Sequence, residues 1–208
     1  MQFGIVGALG RMGRAIATRA ASPIGTQNFA SLQLTTPIEY AQHPDLGKTY
    51  RAATGIAFDA EIVPLATAKI PSGGLIDFSH ASTVIETLRK AAESGAPVVV
   101  GTTGFTAEQR KALEAMADKI PLIIASNMAI GVNVLFALVE QAGRALAPHG
   151  FDPEVMEIHH NLKKDSPSGT ATTIKEALLR AYGYNEAFSA IEHIGFVIAI
   201  STQQSFFN

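Results

Sequence analysis

Residues 157–170 read Glu-Ile-His-His-Asn-Leu-Lys-Lys-Asp-Ser-Pro-Ser-Gly-Thr, which puts two histidines, two lysines and a Ser-Gly-Thr turn into fourteen residues of a chain only 16% charged. Imidazole titrates near neutral pH, Lys163 brings a fixed positive charge, and a helix start offers unpaired backbone N–H groups with the positive end of a dipole. Together these are the parts of a proton-transfer site that holds an anion, a carboxylate or a phosphate. Taken singly, each feature has an ordinary explanation. A histidine at a strand end is commonly a packing residue, and Ser-Gly-Thr is a common helix cap. Their coincidence favours function.

The elements that must carry these groups can be read around them. Residues 154–160 form a short β-rich run after Pro153, so a strand is expected, with Val155, Glu157 and His159 on one face and Met156, Ile158 and His160 on the other. A polar loop, 161–167, carries Lys163 and Lys164. Residues 170–182 have helical spacing, with Ile174, Ala177, Leu178 and Ala181 on one stripe, and the helix is expected to begin at 168–170.

Bulk composition narrows the classes. The chain has 208 residues, 47% of them apolar, enough for one large domain or two small ones. A net charge of -2 and the lack of a basic patch make no case for nucleic acid or an anionic membrane. Zero cysteines remove disulfides, cysteine-ligated metal and thiol nucleophiles, and no metal site is expected. No signal peptide and no apolar run of membrane-spanning length is read, so a cytoplasmic protein is expected.

The N-terminus supplies the second functional stretch. An apolar strand, Phe3-Gly4-Ile5-Val6, runs into Gly7-Ala8-Leu9-Gly10-Arg11-Met12-Gly13 and then a helix. Strand, glycine turn and helix form the dinucleotide-binding context: Gly7 for the tight turn, Gly10 for close approach to a pyrophosphate, Gly13 for packing helix on strand, with Arg11 and Arg14 in reach of phosphate. The next strand is expected at 29–34, after which such folds place an acid for the ribose or a cation for a 2′-phosphate. Neither occurs there. The first acidic residue is Glu39, and the next cation after Arg19 is Lys48. Gln33, Thr35 and Thr36 are left as candidates, with NAD against NADP undecided.

Residues 38–70 are the least patterned, with a short strand expected at 61–65 and His43 expected to face solvent. Buried strands are expected at 74–79, 96–100 and 121–125, and helices at 82–94, after the capping pattern Thr106…Gln109, and at 130–147. His80 could line a ligand loop or start a helix. Alternating strands and helices argue for a parallel sheet covered on both faces, with ligands at the carboxyl ends of its strands. Gly7–Met12, Gly101-Thr102-Thr103 and Ala125-Ser126-Asn127-Met128 are therefore expected to line one crevice. A last strand is expected at 191–200.

With these residues in hand the chain resembles the 4-hydroxy-tetrahydrodipicolinate reductase family, historically dihydrodipicolinate reductase, of lysine and diaminopimelate biosynthesis. The matching pieces are the first glycine loop, Ile76-Asp77-Phe78, Gly101-Thr102-Thr103-Gly104-Phe105, Ser126-Asn127 with Gly131-Val132-Asn133-Val134, and His159-His160-x-x-Lys163-x-Asp165-x-Pro167-Ser168-Gly169-Thr170. The resemblance implies that His159 handles a proton, that Lys163 is a proton donor, and that His160, Gly169 and Thr170 bind the substrate's carboxylates. It implies that Gly7, Ala8, Leu9, Gly10, Arg11, Met12, Gly101, Thr102, Thr103, Ala125, Ser126, Asn127 and Met128 hold NADPH or NADH, and that the enzyme is a homotetramer acting on a small dicarboxylate. The family's reaction is hydride transfer to a cyclic conjugated imine, followed by protonation.

The expected architecture is α/β: a Rossmann-like parallel sheet with helices on both faces over residues 1–128, followed by a smaller α+β substrate-binding and oligomerisation domain over 129–208. That second domain is expected to be C-terminally incomplete, with residues 196–207 departing from the family's pattern. The alternative reading is a catalytically inactive NAD(P)-binding protein derived from this family. Another NAD(P)-dependent enzyme sharing the nucleotide half would lack the His-His-x-x-Lys and Ser-Gly-Thr segment.

Overall fold

The computed structural model describes residues 1–22, 32–160, 167–184 and 195–201, with the backbone alone for His160 and 195–201. The chain divides into two compact units, Met1–Ala125 and Ser126–Asn208.

The first unit alternates strands and helices: β1 (Gln2–Val6), α1 (Arg11–Ala21), β2 (Gln33–Glu39), α2 (Tyr50–Thr54), β3 (Val63–Pro64), β4 (Leu75–Asp77), α3 (Ala81–Glu93), β5 (Val98–Val100), α4 (Ala107–Glu114) and β6 (Leu122–Ile124). The strands form one parallel sheet of six in the order β3-β2-β1-β4-β5-β6. That order reverses between β1 and β4, the switch point where open parallel sheets bind ligands at their carboxyl ends.

Both sheet faces are covered because the strands feed two cores. Phe3, Ile5 and Ile76 join Ala17 and Tyr50 in one, while Val6, Leu75, Val98 and Val100 join Val84, Leu88 and Leu113 in the other. Each such aliphatic side chain contributes about 1.5–3 kcal/mol on full burial. In β2 the alternation inverts, because the register with β1 slips from Phe3–Leu34 to Gly4–Thr36 and skips Thr35. Leu34 therefore faces one core and Ile38 the other.

Several expectations change in this unit. The strand expected at 29–34 starts later and runs to Glu39, through Pro37. Proline is tolerated there because β3 pairs only with Ile38 and Glu39. α2, in the stretch that lacked pattern, is only five residues long and is capped by Thr49, whose side chain accepts from the Ala52 N–H. His43 does not face solvent: it is part-buried, accepts from the Asp45 N–H and lies edge-on to Tyr40. β6 is an edge strand rather than a buried one, and Ile123 is 60% exposed. The capping box at Thr106 and Gln109 forms as its sequence pattern requires.

The second unit holds α5 (Ile130–Leu146), continued by a 3-10 turn (Ala147–His149), then β7 (Glu154–His160), α6 (Gly169–Tyr182) and β8 (Gly195–Ser201). β7 and β8 pair in parallel. By length and composition the 20-residue helix Ile130–His149 could cross a membrane, contrary to the expectation that no apolar run is long enough. It is tied to α6 through Glu140 and Gly143. Glu140 pairs with Arg144 and with Arg180 of α6, and Gly143 lies so close to Ala181 that a Cβ there would sit 2.8 Å from the alanine methyl.

Candidate active site

The first loop is shaped by close backbone contacts. Gly7 has φ 76°, in the left-handed region, and a Cβ on it would meet the Phe78 carbonyl oxygen at 2.4 Å. A Cβ on Gly13 would meet the Gly7 oxygen at 2.3 Å, so only glycine lets α1 sit this close to the turn. Gly10 has more room, its nearest atom being the Gly7 oxygen at 3.2 Å.

Gly10, Arg11 and Met12 are exposed, whereas the side chains of Ala8 and Leu9 are buried in the core beneath. Gly10 has no side chain with which to cap α1, and the first turn, Arg11-Met12-Gly13, carries no acid. This helix start suits the charge and backbone contacts of a pyrophosphate.

Two side chains brace the turn. The Leu9 N–H donates to Glu39 Oε1 at 2.6 Å, and the Tyr50 hydroxyl donates to the Ala8 carbonyl at 2.7 Å. Burial pushes the Tyr50 phenol up to about 12. Glu39 ends β2 beside the glycine loop, where a dinucleotide fold carries its ribose-binding acid. Sequence pattern alone puts the strand several residues too early and so leaves this acid outside it. The signal was present: Leu34 to Glu39 is a β-rich run whose end is marked by the first carboxylate in the chain.

The ends of β4 and β5 meet the same turn. A Cβ on Gly101 would strike the Phe78 ring at 2.1 Å, so Phe78 stands between Gly7 and Gly101. Asp77 is fully buried, and its Oδ1 accepts from the Ser79 N–H, the Ser79 hydroxyl and the Thr102 hydroxyl. Its Oδ2 has no hydrogen-bond partner among the described residues. Thr102 thus points inward to fix the loop, while Thr103 is exposed. His80 is a helix start: its Nδ1 accepts from the Ser82 N–H.

In the second unit, Ser126 and Asn127 are held to α6. The Ser126 hydroxyl lies 2.8 Å from that of Thr173, and Asn127 Nδ2 donates to Thr170 Oγ1 at 3.3 Å. Asn127 Oδ1 also accepts from the Ala129 N–H, and Asn133 donates to the Asn127 carbonyl. Ala125 belongs to the first unit and hydrogen-bonds Val100, and Met128 is exposed.

β7 alternates as expected. Val155 is buried against Leu178 and Leu179 of α6, and Met156 and Ile158 are exposed on the other face. Glu157 is 10% exposed and His159, nearer the strand end, is 38% exposed. His159 Nδ1 lies 3.4 Å from Glu157 Oε2, and Glu157 Oε1 accepts from the Ser168 N–H at 2.8 Å. Ser168 is the N-cap of α6, its side chain accepting from the Ala171 N–H, so Gly169 and Thr170 open the helix. Lys163 and the side chain of His160 lie outside the described residues.

A six-stranded parallel sheet in this order, with a glycine turn after its first strand and an acid closing its second, defines a dinucleotide-binding protein of Rossmann-like fold. Comparison with known proteins narrows the class. Residues 1–128 match the family model described as dihydrodipicolinate reductase, N-terminus, and residues 131–203 match its C-terminus counterpart. The chain belongs to the dihydrodipicolinate reductase family, the NAD(P)H-dependent 4-hydroxy-tetrahydrodipicolinate reductases of lysine and diaminopimelate biosynthesis. The match runs to residue 203, so residues 196–203 fall inside the family's pattern, contrary to expectation.

Among relatives, the 4-hydroxy-tetrahydrodipicolinate reductase of Syntrophotalea carbinolica is 37% identical over 93% of this chain and 70% of its own length. That of Desulfovibrio desulfuricans is 38% identical over 86% of this chain and 65% of its own. The chain thus spans about two thirds of the length of these relatives. A dipicolinate-bound dihydrodipicolinate reductase from Paenisporosarcina sp. TG-14 has the same fold, with TM-score 0.55 at 22% identity over 96% of this chain and 79% of that one.

Proposed function

We propose that this chain reduces 4-hydroxy-tetrahydrodipicolinate to tetrahydrodipicolinate, as its relatives are named to do. Residues 1–128 bind the dinucleotide, and residues 129–208 bind the dicarboxylate and form the oligomer. The observation that carries the reading is His159 at the half-exposed end of β7, its Nδ1 3.4 Å from the Glu157 carboxylate that accepts from the Ser168 N–H at the start of α6. An acid beside an anion-holding helix start is what protonation of a cyclic dicarboxylate requires.

When bound, the nicotinamide supplies the hydride. The chain's residues do the rest. The residues that bind the dinucleotide in this reading are Gly7 to Met12, Gly101, Thr102 and Thr103, and Ala125 to Met128. His160, Gly169 and Thr170 bind the carboxylates. Lys163 donates the proton and His159 handles it during turnover. A solved relative was captured with dipicolinate, a planar dicarboxylate of the same kind.

NADH is the preferred cofactor in this reading. Glu39 ends β2 with Tyr40 after it, and residues 38–47 contain no Lys or Arg. A ribose diol can donate to that carboxylate, whereas a 2′-phosphate would be repelled by it. The protein is a cytoplasmic homotetramer in the same reading; the exposed apolar residues of β7 and of α5, where Ile130 is 83% exposed, support association between copies.

The test is titration of the chain with NADH and NADPH, alone and with pyridine-2,6-dicarboxylate, alongside turnover followed by nicotinamide absorbance. Tighter NADH binding, dicarboxylate binding and strongly reduced turnover in His159→Gln are expected. Dinucleotide binding without dicarboxylate binding or turnover would replace the reading with that of a cofactor-binding protein.

A further inference from the structure

We propose that Glu157 is a positioning residue, a single carboxylate that orients the His159 ring and also pins the start of α6. The proposal rests on the reading of His159 as the group that handles the proton.

The argument begins with strand geometry. Residues two apart on β7 share a face, so Val155, Glu157 and His159 stand in a row beneath α6. Burial falls along the row, from Val155 in the core to His159 at the rim, and the carboxylate sits deeper than the imidazole. A nearly buried carboxylate has to be compensated by hydrogen bonds or charge.

Glu157 meets this need with a hydrogen bond at one oxygen and turns the other toward the imidazole. Oε1 takes the Ser168 N–H at 2.8 Å, and Oε2 faces His159 Nδ1 at 3.4 Å. A carboxylate on Nδ1 selects the tautomer with the proton on that nitrogen, leaves Nε2 for chemistry, and stabilises the imidazolium when it forms. A separation of this size is common before substrate binds and closes in the complex.

The other oxygen gives the contact its wider effect. Ser168 is fixed from two sides, by Glu157 at its N–H and by the Ala171 N–H at its hydroxyl. Two residues on, Thr170 accepts from Asn127. The imidazole and the helix start therefore share one brace, which keeps the separation between proton handler and carboxylate-holding turn constant. A role limited to capping would need only Oε1.

The experiment uses Glu157→Gln, which keeps an oxygen for the Ser168 N–H but removes the charge facing Nδ1. Nitrogen-15 shifts of the His159 ring, read in the full chain, should report the Nδ1–H tautomer in the parent and its loss in Glu157→Gln. Thermal midpoint and NADH affinity should stay unchanged. Turnover should fall roughly 10- to 100-fold in kcat, with KM little altered. Glu157→Asp should recover part of the rate, and Glu157→Ala should also weaken pyridine-2,6-dicarboxylate binding. An unchanged His159 tautomer in Glu157→Gln, or parental kcat in that variant while His159→Gln is slow, would overturn the proposal. Parental kcat in His159→Gln would instead overturn the reading of His159 on which it stands.

Discussion

The Tyr50 hydroxyl donates to the Ala8 carbonyl across 42 residues of sequence, and both residues are fully buried. A short helix from the least patterned part of the chain thereby holds the loop after the first strand.

Replacing Tyr50 by Phe leaves the Ala8 carbonyl buried without this donor. The expected cost is about 1–3 kcal/mol, read as a lower urea midpoint, with NADH affinity a few-fold weaker. The pH dependence has a definite sign. The folded phenol keeps its proton up to about 12, above its ordinary 10. Its contribution is therefore complete below pH 10 and is lost as pH rises through 12. The stability gap between parent and Tyr50→Phe should narrow across that window when urea midpoints are compared.

Glu39→Ala should change cofactor preference as well as affinity. It removes the proposed ribose acceptor and the partner of the Leu9 N–H. NADH binding should weaken roughly tenfold, the equivalent of ~1.4 kcal/mol. NADPH binding should weaken less, since the same change relieves repulsion of its extra phosphate. Calorimetric titration of both cofactors measures the ratio, and an unchanged ratio would remove Glu39 from the ribose site.

Two glycines of the first loop should separate folding from binding. Gly13→Ala drives a methyl into the Gly7 and Ala8 carbonyls and should lower stability by about 1–3 kcal/mol. Gly10→Ala has only one contact, 3.2 Å from the Gly7 oxygen, so the melting temperature should hold while NADH affinity falls. Thermal melts and NADH titration of the two variants distinguish the cases.

The alternation of strands and helices was legible because buried parallel strands such as Val98-Val99-Val100 are continuous apolar runs and helices such as α3 carry a clear stripe. The face assignments on β7 followed from period two alone. The position of β2 was not legible: Pro37 argues against a central strand, and only the short reach of β3 makes it acceptable. α2 was missed because five residues give too little periodicity to see, and its importance lies in one long-range contact from Tyr50. At the candidate site, the histidines and the Ser-Gly-Thr turn could be read from residue type. The Glu157 contact with the Ser168 N–H could not, because it depends on α6 folding back over β7.

The central place of β1 has a consequence for how the protein opens. Its amides and those beside it are bonded on both flanks, Gly4 to Gly74, Gly7 and Ala8 to Ile38, and Phe78 back to Val6, with a core packed on each face. Deuterium can replace these protons only when both layers come apart, so their exchange should be among the slowest and should track the free energy of global unfolding. The amides of Arg11 and Met12, at the uncovered tip, should exchange quickly in the free protein and slow when NADH is added.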